Sequence, residues 1–228
     1  MRSVMALGSA VVALLATALS AAPASAGEAG REPVILVHGW AGSSTDMSAL
    51  RDAFTAAGYP AYVVQLPGQN NVVNANTIAD LVHTARAQTG AAKVHLVGHS
   101  MGGLSTRWYI KRLGGAAEVH TYVSMGSAQY GYLPACLLGE QDGGQMCPFN
   151  PFLWALDEGD DTPGDVAYTT IRSTKDAVDV TRLDGGACFH EIAGVEHADE
   201  PRSLPFIAAA MAAVGGTCPG TFVELPAT

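Results

Sequence analysis

Basic residues are scarce in this chain. Twelve lysines and arginines face 21 aspartates and glutamates, which gives a formal net charge of −9. Proteins that bind nucleic acids contact the phosphates through clustered Lys and Arg side chains, and no stretch of this sequence clusters them. The composition therefore argues against a nucleic-acid partner and is typical of a soluble protein.

Long hydrophobic runs are also lacking, except near the N-terminus. Arg2 precedes an apolar run from Val4 to Leu19, and small residues follow at positions 24–26. This order of charge, apolar run and small residues is typical of a cleaved secretory signal peptide. We predict that residues 1–26 are the signal peptide and that residues 27–228 form a single secreted domain. A retained membrane anchor is the alternative, but the run is short for a membrane-spanning helix.

Cysteine is infrequent but even in number, and all four cysteines lie in the exported part: Cys136, Cys147, Cys188 and Cys218. An even count in an oxidising compartment predicts two disulfides, for which three pairings are possible. We favour the two local pairings, Cys136–Cys147 and Cys188–Cys218. A zinc site is the weaker alternative because no pair of cysteines has the C-x-x-C spacing.

Sequence motifs for metals, phosphates and cofactors are missing as well. The histidines lack paired ligand spacing, and no glycine-rich phosphate loop is present. The acidic run Asp157–Asp161 could hold calcium, but a solvated acidic turn explains it better because the ordered ligand pattern is missing. We predict no metal and no cofactor, and leave calcium dependence open.

Apolar runs alternate with helical patterns along most of the chain. The predicted strands are Val34–Val37, Ala61–Leu66, Val94–Val97, Val119–Ser124, Val166–Ile171 and Cys188–Ala193. The predicted helices are Thr45–Ala57, Asn76–Gln88, Gly103–Leu113 and Ser203–Val214. Strands that are apolar on both faces predict an α/β fold: a mostly parallel central sheet, helices on both faces, in a single domain.

The segment from Gly131 to Asp165 interrupts this alternation and has no regular pattern of its own. It contains the apolar residues Phe149, Phe152, Leu153 and Trp154. Long irregular segments inside a domain are usually functional or disordered. Two interpretations stay open: a wall or partial lid over an apolar substrate, or a surface excursion that packs on the domain.

The sequence Gly98-His99-Ser100-Met101-Gly102 follows an apolar strand and precedes a helix. A sharp turn between the two needs glycine on both sides, and it exposes the serine at a helix N-terminus, where negative charge is favoured. This arrangement suits a nucleophile that attacks a carbonyl carbon. Ser100 is therefore the predicted catalytic nucleophile.

A serine nucleophile needs a base and an acid that orients the base. On sheets of this type the order is serine, acid, histidine, each on a loop after a later strand. His197 follows the last predicted strand, and Asp176 follows the strand before it, so we predict these two as base and acid. The alternatives are His120 and His190 for the base, and Asp179 and Asp184 for the acid.

Two backbone N–H groups are expected to stabilise the oxyanion. The residue after the nucleophile, Met101, supplies one of them. The second is expected from the loop after the first strand, where Trp40 is the best candidate. We interpret His38 and His99 as residues that form structural hydrogen bonds beside the site.

These motifs resemble the compact secreted bacterial lipases of the α/β-hydrolase fold. The resemblance rests on Val34–Gly39, Val97–Gly103, Ser173–Asp176 and Gly194–His197, in the family's order. It implies Ser100, Asp176 and His197 as the triad, Trp40 and Met101 as oxyanion donors, and ester hydrolysis without a cofactor. The chain departs from the smallest members in its four cysteines and its longer segment 131–165.

We therefore predict a secreted, monomeric serine hydrolase that cleaves carboxylic esters, foremost acylglycerols, in an extracellular setting. A short-chain esterase or polyester hydrolase with the same triad is the main alternative. A thioesterase or acyltransferase ranks lower because carrier thioesters are scarce outside cells. A non-catalytic binding protein on this scaffold ranks lowest, since every triad position holds a competent residue.

Overall fold

The chain forms one seven-stranded sheet in the computed structural model, which describes residues 30–177 and 181–225. The strands are β1 (Val34–Val37), β2 (Ala61–Val64), β3 (Val94–His99), β4 (Val119–Met125), β5 (Ala167–Ser173), β6 (Ala187–Ile192) and β7 (Thr221–Val223). Their order is β2-β1-β3-β4-β5-β6-β7. All pairs are parallel except β6 with β7. The predicted mostly parallel sheet is confirmed.

Helices cover both faces of the sheet. They are α1 (Ser48–Ala56), α2 (Asn71–Thr89), α3 (Met101–Arg112), α4 (Pro151–Asp157) and α5 (Leu204–Val214). Val34 and Leu36 of β1 belong to the apolar core on the side of α1 and α5, whereas Ile35 and Val37 belong to the core on the side of α2 and α3. Strands buried on both faces read as continuous apolar runs, which is why the sequence reveals them.

The helix α2 begins five residues before the predicted start at Asn76. The side chain of Asn70 accepts a hydrogen bond from the backbone N–H of Val73 at 3.0 Å and caps the helix. An N-cap asparagine satisfies one of the unpaired N–H groups of the first turn. Asn70 therefore determines where α2 begins. The apolar periodicity alone predicts a start that is five residues too late.

The segment 131–165 contains more structure than the sequence suggests. It includes α4, whose residues Phe152 and Leu153 are buried in the core, whereas Phe149 and Trp154 are exposed. The ring of Phe152 stacks on Trp108 with the centroids 4.9 Å apart. Helix α4 therefore packs on the domain, as one of the two interpretations has it.

Both favoured disulfides are present. Cys136 pairs with Cys147, and Cys188 on β6 pairs with Cys218 before β7. No helix within residues 30–177 and 181–225 is both long and apolar enough to cross a bilayer. The predicted signal peptide, residues 1–26, lies outside the described residues and stays a prediction. Asp179, the alternative acid, also lies outside them.

The acidic run Asp157–Asp161 is only partly a solvated turn. The fully buried Arg107 of α3 donates a hydrogen bond to Asp157 at 3.1 Å and pairs with Asp161 through its other terminal nitrogen. Lys111 Nζ lies 3.1 Å from Asp161, and the hydroxyl of Tyr130 donates to the same carboxylate at 2.6 Å. The expected solvated turn is wrong for Asp157 and Asp161, because buried basic groups neutralise these two carboxylates, whereas Glu158 and Asp160 are exposed as expected.

Replacing Arg107 with Met is expected to lower the free energy of unfolding by about 3–5 kcal/mol, because two carboxylates lose a buried partner. Arg112→Met is the matched control on the same helix, since Arg112 pairs with the exposed Glu158 and surface pairs contribute at most about 1 kcal/mol. Urea denaturation of both variants measures the difference. Equal losses in the two variants would contradict this account.

Candidate active site

Ser100 lies between β3 and α3 in a conformation that few residues other than glycine adopt, with φ at +54°. A Cβ atom at Gly98 would lie 2.7 Å from the Cα of Gly103. A Cβ atom at Gly102 would collide with the carbonyl oxygen of His38. The glycines on both sides of the serine are thus needed because backbone segments approach them closely. Strain of this kind costs about 1–3 kcal/mol and clusters at active sites.

The loops after β5 and β6 bring Asp176 and His197 together. Nδ1 of His197 lies 2.9 Å from Oδ2 of Asp176 and donates its proton to the carboxylate. The carboxylate is almost fully buried, whereas the imidazole is about a third exposed. This bond fixes the tautomer that leaves Nε2 of His197 without a proton. Ser100, Asp176 and His197 line the same cavity.

Hydrogen bonds tie these two loops to each other. The hydroxyl of Ser173 donates to the carbonyl of Val195 and accepts from the backbone N–H of Val195 and Lys175, both at 3.1 Å. The hydroxyl of Thr174 accepts from the N–H of Gly194 at 3.2 Å. Asp176 and His197 therefore keep their relative position through a braced pair of loops.

The loop after β1 approaches the nucleophile closely. A Cβ atom at Gly39 would lie 2.8 Å from the Cβ of Ser100. Trp40 and Met101 both line the cavity that contains Ser100. The two predicted oxyanion donors thus flank the nucleophile. The indole Nε1 of Trp40 donates to the carbonyl of Asp142 at 2.7 Å.

His38 and His99 form hydrogen bonds at the edges of the site, as the sequence predicts. Nε2 of His38 accepts from the N–H of Leu66 at 3.1 Å, and its Nδ1 lies 2.9 Å from the carbonyl oxygen of Gly39. Nε2 of His99 donates to the carbonyl of His197 at 3.0 Å. Burial lowers the pKa of His99 to about 3, so its imidazole stays neutral.

Glu200, which the sequence does not single out, is a fully buried carboxyl group next to the predicted triad. Its Oε2 lies 3.4 Å from Nε2 of His99 and 3.6 Å from Nδ1 of His197. Burial and the charge of Asp176 raise the pKa of Glu200 to about 9. Glu200 is therefore protonated at neutral pH, which avoids a second buried negative charge beside Asp176.

Two signals in the sequence could have identified this carboxyl group. Glu200 follows His197 by three residues in the 3₁₀ helix His197–Arg202, where side chains three apart lie on the same side. Gly126, directly after β4, has φ of +57°, and a Cβ atom there would lie 2.8 Å from Oδ2 of Asp176 and collide with Glu200. A glycine directly after a strand therefore indicates that side chains, here those of Asp176 and Glu200, pack closely against the backbone at that point.

The alternative residues are elsewhere. His120 lies next to Glu32 at the amino end of β4, the end opposite the site, and His190 lies within β6. Asp184 is exposed in a turn, where its backbone N–H donates to the hydroxyl of Tyr130 at 3.0 Å. None of these three residues lines a cavity with Ser100 in the described part of the chain.

The cavity next to Ser100 has a volume of about 380 Å³ and a largely apolar wall. Ala128, Tyr132 and Met146 contribute to that wall, and the last two belong to segment 131–165. A second cavity of about 230 Å³ shares Trp40, Ser100 and His197 with the first. Segment 131–165 is therefore also a wall of the site, although not through the aromatic residues named from the sequence.

Comparison of the sequence with known protein families identifies the family of this chain. A family model described as palmitoyl protein thioesterase matches residues 33–171, which is more than half of the chain. The chain belongs to the palmitoyl protein thioesterase family. The matched part of this family member runs from the residue before β1 to β5 and includes the turn at Ser100.

Lipases are among the proteins similar to this family member. A triacylglycerol lipase from Burkholderia plantarii is 34% identical over 116 residues, a match that covers 46% of this chain. The chain spans only about a third of that relative, since the match covers 32% of it. The resemblance to α/β-hydrolase lipases is confirmed.

Solved structures support the fold. Aspergillus fumigatus lipase B superimposes with a TM-score of 0.70 at 20% identity, over 87% of this chain and 56% of that one. Bacillus licheniformis lipase BlEst2 in its propeptide form gives 0.68 at 19% identity, over 87% and 52%. The chain thus shares the α/β-hydrolase fold of these lipases.

Proposed function

We propose that this chain hydrolyses carboxylic esters of long-chain fatty acids, foremost acylglycerols, through an acyl-enzyme on Ser100. The observation that carries the proposal is the 2.9 Å bond between His197 and Asp176 in a cavity that Ser100 also lines. A hydroxyl, an imidazole and a carboxylate arranged in this order are the parts of a serine hydrolase. The braced loops and the strained turn at Ser100 support the same interpretation.

The reaction proceeds in two acyl-transfer steps. Nε2 of His197 takes the proton of Ser100 as Oγ attacks the ester carbonyl carbon, and the N–H groups of Trp40 and Met101 stabilise the oxyanion. The imidazolium, held by Asp176, gives its proton to the leaving alcohol, and the acyl group stays on Oγ. Water then attacks the acyl carbon and loses a proton to His197, which returns it to Oγ as the fatty acid leaves.

The surroundings of the site favour an apolar acyl chain. The cavity wall includes Ala128, Tyr132 and Met146. Leu133 and Leu137, which flank this wall in sequence, are 64% and 91% exposed. Exposed apolar side chains beside an active site suit contact with a lipid surface. We place this activity outside the cell, because disulfides such as the two in this chain persist in oxidising compartments.

Thioester hydrolysis is the second candidate, and the family match favours it. A thioester carbonyl would meet the same nucleophile, base and oxyanion donors, and a palmitoyl chain would fill the same apolar cavity. The scarcity of carrier thioesters outside cells is the one reason given above for ranking this activity lower. Short-chain esters and polyesters stay as further alternatives that the same triad could cleave.

A matched substrate series tests the proposal. We expect kcat/KM to rise along p-nitrophenyl esters from acetate to longer acyl chains, and emulsified triglyceride to be hydrolysed. A palmitoyl thioester and a palmitoyl oxygen ester of similar leaving group separate the two leading candidates, and we expect the oxygen ester to be cleaved faster. Hydrolysis of a solid polyester film tests the polyester hydrolase alternative.

Other outcomes assign other functions. A preference for acetate with no triglyceride cleavage would indicate a short-chain esterase, and faster cleavage of the palmitoyl thioester would indicate a thioesterase. Absence of hydrolysis on the whole series would overturn the proposal. The variant Ser100→Ala, prepared in parallel, corrects each rate for contaminating hydrolases.

A further inference from the structure

Two histidines and a glutamate meet at the amino end of the central strands, opposite the end that carries Ser100. Glu32 precedes β1, His95 is the second residue of β3, and His120 is the second residue of β4. The strands β1, β3 and β4 are neighbours in the sheet, so the three side chains come together although they are far apart in sequence. His95 and Ser100 are about 17 Å apart along the strand direction, at about 3.3 Å per residue.

The polar atoms of this cluster converge. Oε2 of Glu32 lies 2.6 Å from Nδ1 of His120 and 3.4 Å from Nε2 of His95. The two imidazole rings stack with their centroids 5.3 Å apart, and the three ligand atoms all lie within 4.8 Å of one another. Such convergence of two ring nitrogens and one carboxylate oxygen is the donor set that zinc and its neighbours prefer.

We propose that Glu32, His95 and His120 form a binding site for a divalent transition-metal ion such as Zn²⁺. The site is independent of the proposed hydrolytic function, because it lies at the other end of β3 from the nucleophile. Two imidazoles favour zinc, cobalt, nickel or copper over calcium and magnesium, which prefer oxygen ligands only. Water completes the coordination of the ion.

The distances suit an ion of this size. Ligand atoms about 2.0–2.1 Å from a tetrahedral zinc ion lie about 3.3 Å from one another. The separation of 3.4 Å between Glu32 and His95 already has this value. The pair Glu32 and His120 must open by about 0.7 Å from 2.6 Å to reach that tetrahedral spacing. His120 is 57% exposed and Glu32 is 30% exposed, so both side chains have room to rotate.

The position of His95 also suits a ligand. His95 is 5% exposed, so its surroundings hold the ring in place. The cluster lines a surface cavity of about 330 Å³, which gives an ion access from solvent and holds its waters.

One nearby charge opposes the ion. Arg31 lines the same cavity, and its guanidinium lies 4.6 Å from the centre of the Tyr59 ring. A positive charge at this place lowers the affinity for a cation. We therefore expect the site to bind more weakly than a closed structural zinc site with four protein ligands.

Binding of the ion should stabilise the protein, because it joins the segment before β1 to β3 and β4. Zn²⁺ at about 100 times its dissociation constant adds RT ln(1 + [L]/Kd) to the stability of the folded state. For a domain of this size that corresponds to a rise in Tm of about 5–10 °C. Hydrolysis is not expected to require the ion.

The test uses the untagged, metal-stripped protein. Titration with Zn²⁺ is followed by calorimetry and by Tm, and Co²⁺ is followed by its visible absorption, which reports imidazole coordination directly. We expect one ion per chain. Glu32→Gln and His120→Asn should each weaken Zn²⁺ binding at least about tenfold, which is the low end of what even outer-sphere partners contribute.

His83→Asn is the matched control. His83 is as exposed as His120 and lies 3.2 Å from a carboxylate, that of Glu118, but has no second histidine beside it. This variant should bind Zn²⁺ like the parent. Ser100→Ala should bind it as well, which separates this site from any metal bound next to the nucleophile.

Three results would overturn the proposal. The first is the absence of saturable Zn²⁺ or Co²⁺ binding by the stripped protein. The second is equal affinity in the parent, Glu32→Gln and His120→Asn. The third is a loss of binding in His83→Asn as large as in His120→Asn, which would indicate surface histidines acting without a defined site. Each result is measured without reference to ester hydrolysis.

Discussion

Replacing Ser100 with Ala is expected to lower kcat for a long-chain p-nitrophenyl ester about 10⁶-fold, which corresponds to about 8 kcal/mol of lost transition-state stabilisation. The substitution removes the oxygen that attacks the carbonyl carbon, whereas the oxyanion donors and the cavity stay in place. The Tm should change little, because a single exchange of hydroxyl for hydrogen leaves the turn between β3 and α3 intact. Steady-state kinetics and thermal unfolding measure both quantities.

Ser48→Ala is the matched control for this prediction. Ser48 begins α1, and its hydroxyl donates to the carbonyl of Thr45 at 2.6 Å, away from the cavity. This variant should keep the activity of the parent. A phosphonate ester inhibitor should label the parent once, at Ser100, and leave Ser100→Ala unlabelled. Rates near those of the parent in Ser100→Ala would show that another group is the nucleophile.

Replacing Asp176 with Asn is expected to lower kcat about 10⁴-fold, because the amide can hold the wrong tautomer of His197 and cannot stabilise its positive form. The side chain keeps its size, so the fold should persist. The loss should appear mainly in kcat and not in KM, since Asp176 acts on the chemical step through His197. Kinetics on a soluble ester measure the two constants separately.

Two further variants sharpen this second prediction. Asp184→Asn changes an exposed turn carboxylate, and its activity should equal that of the parent. Glu200 lies 3.6 Å from the same nitrogen of His197, so Asp176→Asn is also combined with Glu200→Gln. We expect the double variant to be as slow as Asp176→Asn alone. If only the double variant were slow, either carboxyl group would suffice to orient the histidine, and the role predicted for Asp176 alone would be wrong.

Features with local causes could be predicted from the sequence. The strand β1 is four apolar residues because both of its faces are covered, and the turn at Ser100 has glycines on both sides because backbone segments approach there. The rule of strand order then selects Asp176 and His197. The carboxylate of Asp176 and the imidazole of His197 lie 2.9 Å apart, although the residues next to them in sequence do not indicate this contact.

Features that depend on distant partners escaped the sequence analysis. Asp157 and Asp161 look solvated in the sequence, yet Arg107, about fifty residues earlier, pairs with both of them. Glu200 looks like a surface residue beside Asp199, yet the crowding around Gly126 encloses it. His95 and His120 show no ligand spacing, because sheet pairing and not sequence distance makes them neighbours.

The hydrogen bond between Trp40 and Asp142 has a consequence for when the proposed hydrolase could work. Asp142 lies in the loop that Cys136 and Cys147 close, and the same loop supplies the Met146 side of the cavity. Reduction of the Cys136–Cys147 disulfide would therefore loosen both the partner of the Trp40 indole and the Met146 wall. For the proposed ester hydrolysis, the newly made chain would then be a poor catalyst until this disulfide forms, which would spare the membranes of the cell that produces it.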